Sequence, residues 1–394
     1  MSTFSKHPSR FPAYYPNCLV RGREALVWDS YDHQYIDWSQ GLGSTGVFGH
    51  ASPLILNDLA ASIADGSAFH TETRLLKETS QLFCSKTETE AVRFCLNGTD
   101  ATASAVRLAR AVTDRKVILI HRPCYHGSSG SDWFAQTEPP ARGVIIDGNV
   151  GETYLGEKTD IAALIYELRT EPPSKALSAE IEYVRESGGI IIADEVVNGV
   201  RCGWRGLSGY YGLNPDLICY GKALGSGIPA AALAGRYDLM KEFDLDYTNS
   251  PVFMSYTNAS NSVPLSAVRA TCKHATRQVI EDVAWSGELL RTSFDAACSD
   301  FHLPFKCVGH PARSFFDFQD HDDLFYLFLS LCARLRVLFY RANFPTIHHT
   351  SHVTMDTETA IRTALLVVSS AMKHGGMPYD VEIPRPLYRS DPKR

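Results

Sequence analysis

Lys222 is the residue around which chemistry can be built. It follows the β-rich run Leu217-Ile-Cys-Tyr220 and opens into Gly221-Lys222-Ala-Leu-Gly225-Ser-Gly227-Ile-Pro229, a tract of small residues. A lysine meant only for solvent needs no such neighbours, because its stem and charge lie in water wherever they are placed. Small neighbours let a flat, bulky group approach the backbone, and a lysine held there can form a Schiff base. The same residues also read as an ordinary βα loop with a surface lysine. A second stretch shifts the balance. Gly188-Gly-Ile-Ile-Ile-Ala-Asp194 reads as a buried parallel strand with a carboxylate at its C-terminal end, 28 positions before the lysine. That is where α/β sheets present residues to ligands. An aspartate and a lysine on neighbouring strand ends meet the needs of pyridoxal phosphate, one keeping the ring nitrogen protonated and the other carrying the Schiff base.

Those two residues need a sheet to hold them, and the chain supplies one. Ala91 to Leu96 reads as a short strand that runs into Asn97-Gly98-Thr99-Asp100-Ala101-Thr102, then a helix through Arg110 with Ala101, Ala105, Val106 and Ala109 on its inner face. A strand, a small polar turn and a helix N-terminus form a cradle for an anion such as phosphate. Thr and Asn are also common N-caps of any helix, so this turn alone does not decide the matter. Further strands are expected at 116–120, 161–166 and 216–220, with a helix from about 178 to 186. Alternation of strands and helices over 91–235 predicts a mostly parallel sheet covered by helices. Tyr125, in Cys124-Tyr125-His126-Gly127, could stack on a flat cofactor or merely pack in its loop.

The flanks differ in character. Residues 1–17 read as an irregular arm, and 18–37 as a small antiparallel meander. Helices are expected at 53–63 and 72–83, then a long helical pattern from Leu265 to about Ser299. The last segment mixes a strand (314–318), helices (324–338 and 358–372) and a proline-rich tail from Gly375. The expected division is an arm with part of a small domain over 1–65, a large cofactor domain over 66–255, and an interdomain helix with the C-terminal small domain over 256–394.

Composition bounds the partners. The 394 residues are 44% hydrophobic and 21% charged, with a net charge of −6, which offers no electrostatic case for nucleic acid or an anionic membrane. Ten cysteines contain no Cys-x-x-Cys pair and several lie in apolar runs, as expected for reduced thiols in a cytoplasmic protein. No apolar run is long enough to span a bilayer. His348-His349-x-x-His352 has helical spacing for a metal but no acidic partner at ligand spacing, so satisfied or substrate-lining histidines are the expected reading and no metal is assigned.

Taken together, the motifs resemble the class III, fold type I pyridoxal-phosphate aminotransferases, and most closely the glutamate-1-semialdehyde aminomutase branch. The resemblance covers roughly residues 18–370. It is carried by Trp28-Asp-Ser-Tyr-Asp-His-Gln-Tyr-Ile-Asp37, Gly49-His50-Ala-Ser-Pro53, Asn97-Gly-Thr-Asp-Ala-Thr, Cys124-Tyr-His-Gly127, Asp194-Glu-Val and Gly221-Lys-Ala-Leu-Gly-Ser-Gly-Ile-Pro229. It implies an α/β fold with a large domain built on a mostly parallel, seven-stranded-type sheet, plus a smaller α+β domain from both chain ends. It implies that Lys222 forms the Schiff base and that Asp194 pairs with the pyridine nitrogen. Gly98 and Thr99 would hold the phosphate, with Asn97 where the family has serine, and Tyr125 would stack on the ring beside His126. Thr257 matches a threonine that reaches the phosphate of a neighbouring subunit, which implies a homodimer with active sites at the interface.

Departures fall on substrate-facing positions. The family's Glu-Pro is Glu167-Leu168 here, the aminomutase Ser-Trp is Leu42-Gly43, and a glutamate of the aminomutase's C-terminal lobe is replaced within Phe344–His349. Candidate substrate residues are Gly43, Ser44, Glu167 and Arg313. Arg313 has the bidentate fork that suits a carboxylate, although a surface arginine at a strand start is the alternative. The expected activity is transamination between an amino donor and a small keto or aldehyde acceptor, with an intramolecular aminomutase as the alternative.

Overall fold

The computed structural model describes residue 12 and residues 14–121, 125–127, 143–146 (backbone only), 158–169, 172–244 and 252–375. The chain separates into two compact units, one made of Pro53–Thr276 and the other of described residues from the first 52 and from Arg277 onward.

The meander expected near the N-terminus is present as β1 (Leu19–Arg23), β2 (Leu26–Asp29) and β3 (Gln34–Asp37), paired antiparallel in sequence.

The unit from Pro53 to Thr276 is organised by a seven-stranded sheet. Its strands are β4 (Ala91–Cys95), β5 (Val117–His121), β6 (Gly143–Ile146), β7 (Ile161–Tyr166), β8 (Ile190–Asp194), β9 (Leu217–Tyr220) and β10 (Ala231–Gly235). They lie in the order β4-β10-β9-β8-β7-β5-β6. Only β10 runs against its neighbours, pairing antiparallel with both β4 and β9, while the pairs from β9 to β6 are parallel. β7 and β8 are buried at every residue, as strands covered on both faces must be. Helix Gly98–Thr113 follows β4 and buries Ala101, Ala105, Val106, Leu108 and Ala109 in the core against residues of β5, β7, β8, β9 and β10. Its alanine-rich face lets the helix axis approach the sheet closely.

The second unit draws on both ends of the chain. It completes the small sheet with β13 (Val337–Leu338), parallel to β3, after a hairpin of β11 (Lys306–His310) and β12 (Arg313–Asp317). Helices Arg277–Asp300, Asp322–Arg334 and Ser351–His374 cover an aromatic core in which Phe294 stacks on Phe316 with ring centroids 4.4 Å apart.

Two helical expectations are corrected. The long pattern from Leu265 is two helices, Ser262–His274 and Arg277–Asp300. Apolar spacing continues across the break, but the Ala275 carbonyl accepts the Trp204 indole N–H at 3.1 Å instead of continuing a helical ladder. The pattern at 324–338 stops at Arg334 because Arg336 takes a left-handed backbone, with φ +68°, and the chain turns into β13. The arm before Pro12, Cys124 and the tail beyond Gly375 lie outside the described residues.

Candidate active site

Asp194 is the last residue of β8, and it is in register with Cys219 of β9. Three residues beyond Cys219 the chain reaches Lys222, which begins a single 3-10 turn (Lys222–Gly225) with φ +44°. A side chain other than glycine is rarely held in that left-handed region, and such outliers concentrate at functional sites. The expected adjacency of carboxylate and lysine at neighbouring strand ends is therefore present in the fold.

Three elements meet at Val196, two residues past Asp194. A Cβ on Gly98 would lie 2.7 Å from Val196 Cγ1, and one on Gly221 would lie 3.0 Å from the same atom. The two glycines thus let the helix start and the lysine turn press against one apolar side chain. Val196 was not singled out by its chemistry; an apolar residue two positions beyond a strand-end carboxylate is the only signal that could have found it.

The segment 125–127 is tied to the same place. The His126 carbonyl accepts the Thr102 hydroxyl at 2.7 Å, and a Cβ on Gly127, whose φ is +109°, would lie 2.5 Å from Thr99 Oγ1. The His126 ring is buried with its Nδ1 2.7 Å from Asp194 Oδ2, while Asp194 Oδ1 accepts the Val196 N–H at 3.1 Å. A histidine paired in this way orients the carboxylate. Tyr125, next along the chain, is exposed.

At the start of the helix Gly98–Thr113, Asn97 is the N-cap. Its Oδ1 accepts the Asp100 N–H at 3.0 Å, and its amide donates to Asp100 Oδ2 at 2.8 Å. This reciprocal pair resembles a capping box. The N–H groups of Gly98 and Thr99 stand in the first turn of this helix, the end that presents donors to an anion. Burial raises the Asp100 carboxyl above its ordinary range, against hydrogen bonds from Leu96 and Asn97.

Glu167 follows β7, whose Tyr166 is paired with Ala193, so it sits one strand over from Asp194. It is buried and bound to Arg169 Nε at 3.0 Å. Glu195 is a further buried acid that sequence reasoning did not weigh. Its carboxylate accepts the N–H groups of Leu207 and Ser208, at 3.0 and 2.8 Å, and the Ser208 hydroxyl. Burial outweighs those bonds and pushes its carboxyl up to about 7. Thr257 is exposed in a turn after Tyr256.

The other unit holds the remaining candidates. Gly43 has φ +82°, and a Cβ there would lie 2.9 Å from the Phe344 ring. The Ser44 hydroxyl donates to the Gly41 carbonyl at 2.7 Å. Arg313 opens β12 and is buried, 5% exposed, with its guanidinium 5.4 Å from the Phe315 ring centroid, so the surface-arginine alternative is excluded. His349 is a structural histidine. Its Nδ1 accepts the Thr346 N–H at 3.0 Å and its Nε2 donates to the Asp37 carbonyl at 3.1 Å, whereas His352 is exposed.

A mostly parallel sheet with these strand ends defines a class of enzyme as well as a fold. The chain matches the aminotransferase class-III family over residues 11–139 and 152–296, and it belongs to that family. The family works with pyridoxal phosphate, and that is the cofactor of this chain. A glutamate-1-semialdehyde 2,1-aminomutase of Roseiflexus castenholzii is 29% identical over 91% of this chain and 92% of its own length. Among solved structures, a transaminase with pyridoxal phosphate bound superposes with a TM-score of 0.82 at 22% identity, covering 94% of this chain and 95% of that one. A glutamate-1-semialdehyde aminomutase from Pseudomonas aeruginosa gives 0.80 at 19% identity, over 91% and 90%. Among the described residues, no helix is long and apolar enough to cross a membrane. The nine described cysteines are all free, and seven of them are buried.

Proposed function

We propose that the chain is an aminotransferase that moves an amino group from a small-molecule donor to a keto or aldehyde acceptor, with Lys222 and Asp194 at its chemical centre. The observation that carries transamination over isomerisation is the packing at Gly43. The aminomutase pattern has tryptophan there, whereas in this chain the Phe344 ring fills the space a side chain would need. Gly43 and Phe344, far apart in sequence, are in contact, so a side chain at 43 and the ring at 344 exclude one another as they stand.

The cofactor fits the residues present. Gly98 and Gly221 bring the helix start and the lysine turn together against Val196, the helix start supplies anion donors, and a buried carboxylate paired with His126 stands on the neighbouring strand end. Pyridoxal phosphate supplies an electron sink conjugated to the carbon that bears the substrate's amine. Lys222 Nζ would be the amine that holds the cofactor and the base that takes a proton from the substrate Cα. Asp194, oriented by His126, would keep a proton on the ring nitrogen. Gly98, Thr99 and their N–H groups would hold the phosphate, with Asn97 shaping that turn as its cap and Tyr125 beside the ring. Glu167 is the substrate-side polar group of the unit that carries Lys222 and Asp194. Thr257 reaches the phosphate of a second copy, so the working unit is a homodimer. The buried free thiols support a cytoplasmic location.

The test is a half-reaction. The purified protein is mixed with each of a panel of amino donors and no acceptor. A transaminase releases keto product in proportion to enzyme and loses its visible absorption with the productive donor. Turnover of an amino aldehyde to its isomer without added acceptor, with no donor effective in the half-reaction, would establish the aminomutase instead. That second reading is favoured by the name of the relative that matches nearly the whole chain.

A further inference from the structure

Tyr256 stands between the first turns of the helix Gly98–Thr113 and the exposed turn that carries Thr257. Its hydroxyl donates to the Asp100 carbonyl at 3.2 Å and lies 2.6 Å from Ser104 Oγ. A phenol has one proton to give, so the serine hydroxyl is the donor in the second bond. The tyrosine therefore grips the helix one turn beyond Gly98 and Thr99. On its other side, the Tyr256 carbonyl accepts the Ala259 N–H at 3.1 Å, and Asn258 takes a left-handed φ of +68°, which closes the turn around Thr257. Asn261 then caps the helix Ser262–His274 through the Val263 N–H at 2.9 Å.

The segment has a second tether, the Arg107 guanidinium to the Phe253 carbonyl at 2.6 Å. It also has room to shift, since Phe253, Met254 and Tyr256 line a hollow of about 450 Å³ together with Leu76, Arg93 and Phe94. Removing the hydroxyl would release the turn without releasing the segment.

We infer that Tyr256 is a positioning residue that locks the Thr257 turn to the phosphate-holding end of its own subunit's helix. Cofactor binding at that helix and presentation of Thr257 to a second copy are thereby coupled. The inference rests on the reading that phosphate binds at Gly98 and Thr99 and that Thr257 serves a partner copy.

The experiment is a double-mutant cycle on cofactor affinity. The full-length chain, freed of cofactor, is titrated with pyridoxal phosphate as wild type, Tyr256→Phe, Thr257→Ala and the double variant. Each single substitution is expected to weaken binding about 5–10-fold, the effect of one hydrogen bond. The double variant should be no weaker than about either single one. Ser104→Ala, which removes one of the two bonds to the Tyr256 hydroxyl, should weaken binding in the same direction by a smaller factor than Tyr256→Phe. A merely structural hydroxyl would lower the unfolding temperature and combine multiplicatively with Thr257→Ala, and that result overturns the inference. Unchanged affinity in Tyr256→Phe overturns it as well, with the cofactor reading intact. A wild-type chain that binds no pyridoxal phosphate would overturn the cofactor reading itself, and the coupling with it.

Discussion

Each compact unit pairs a buried aspartate with a histidine, and the two pairs are built alike but loaded differently. In one, Asp194 Oδ2 faces His126 Nδ1 at 2.7 Å; in the other, Asp37 Oδ2 faces His50 Nε2 at 2.9 Å. Asp37 Oδ1 also takes the Ser39 N–H, the Ser39 hydroxyl and the Gln40 N–H, at 2.8, 2.6 and 3.1 Å. Asp194 Oδ1 takes only the Val196 N–H among the described residues. One aspartate spends its acceptor capacity on its own turn and fastens β3 to the Gly49-His50 corner. The other keeps capacity in hand at a strand end, where the proposed function has a cofactor nitrogen use it. On that reading the same pair of residue types is structural or chemical according to how many lone pairs the local backbone consumes.

Substitutions can sharpen that contrast. The largest effect is expected at Lys222, which the proposed function makes both nucleophile and base: Lys222→Ala should lower the transamination rate by about 10⁴-fold, read as initial rate, with loss of the visible absorption. Asp194→Asn should lower the rate by about 10²–10³-fold, as for other preorganised charges at a reacting centre, with the unfolding transition little changed. Comparable stability loss at both aspartates, with equal retention of activity, would break the comparison.

Glu195, beside Asp194, tests burial with the opposite sign. Its folded carboxyl lies near 7 against an ordinary 4.5, so the folded state holds a proton that the unfolded state has lost. Stability therefore falls as pH rises from about 4.5 to 7, by an amount on the order of 3 kcal/mol. Glu195→Gln should flatten that slope in denaturant titrations run across the window.

At Asp37 the sign reverses. Burial works to raise its carboxyl, but hydrogen bonds from His50, Ser39 and Gln40 outweigh burial and leave it below the ordinary 3.8. Its contribution is present above that value and lost as acid protonates the folded form. Asp37→Asn should cost about 2 kcal/mol at neutral pH and remove that part of the acid sensitivity, with activity affected only through the folded fraction. The smallest effect is expected at Gly43. Gly43→Ala should destabilise by about 1–2 kcal/mol through its left-handed backbone and contact with Phe344, and Phe344→Leu should restore part of the loss in thermal unfolding.

The legible parts of the fold and site share one property. Strands buried on both faces, such as Ile161–Tyr166 and Ile190–Asp194, announce themselves as unbroken apolar runs, and short-range motifs such as Asn97-Gly98-Thr99 or Gly221-Lys222 carry their own turn chemistry. What escaped were features decided by a distant partner. The break at Ala275 depends on Trp204, the role of Val196 depends on two glycines far from it in sequence, and the aspect of Arg313 depends on the packing of its unit.

Sequence alone determined the strand-end carboxylate, the lysine among small residues and the Asn97-capped helix start, because each is a local arrangement of backbone and side chain. Only the tertiary structure decided which aspartate keeps free acceptor capacity, that Phe344 closes the space at Gly43, and that Tyr256 grips the helix Gly98–Thr113. The last two depend on residues more than a hundred positions apart and the first on how each local turn folds around its carboxylate, and such hydrogen bonds and steric contacts exist only once the chain has folded.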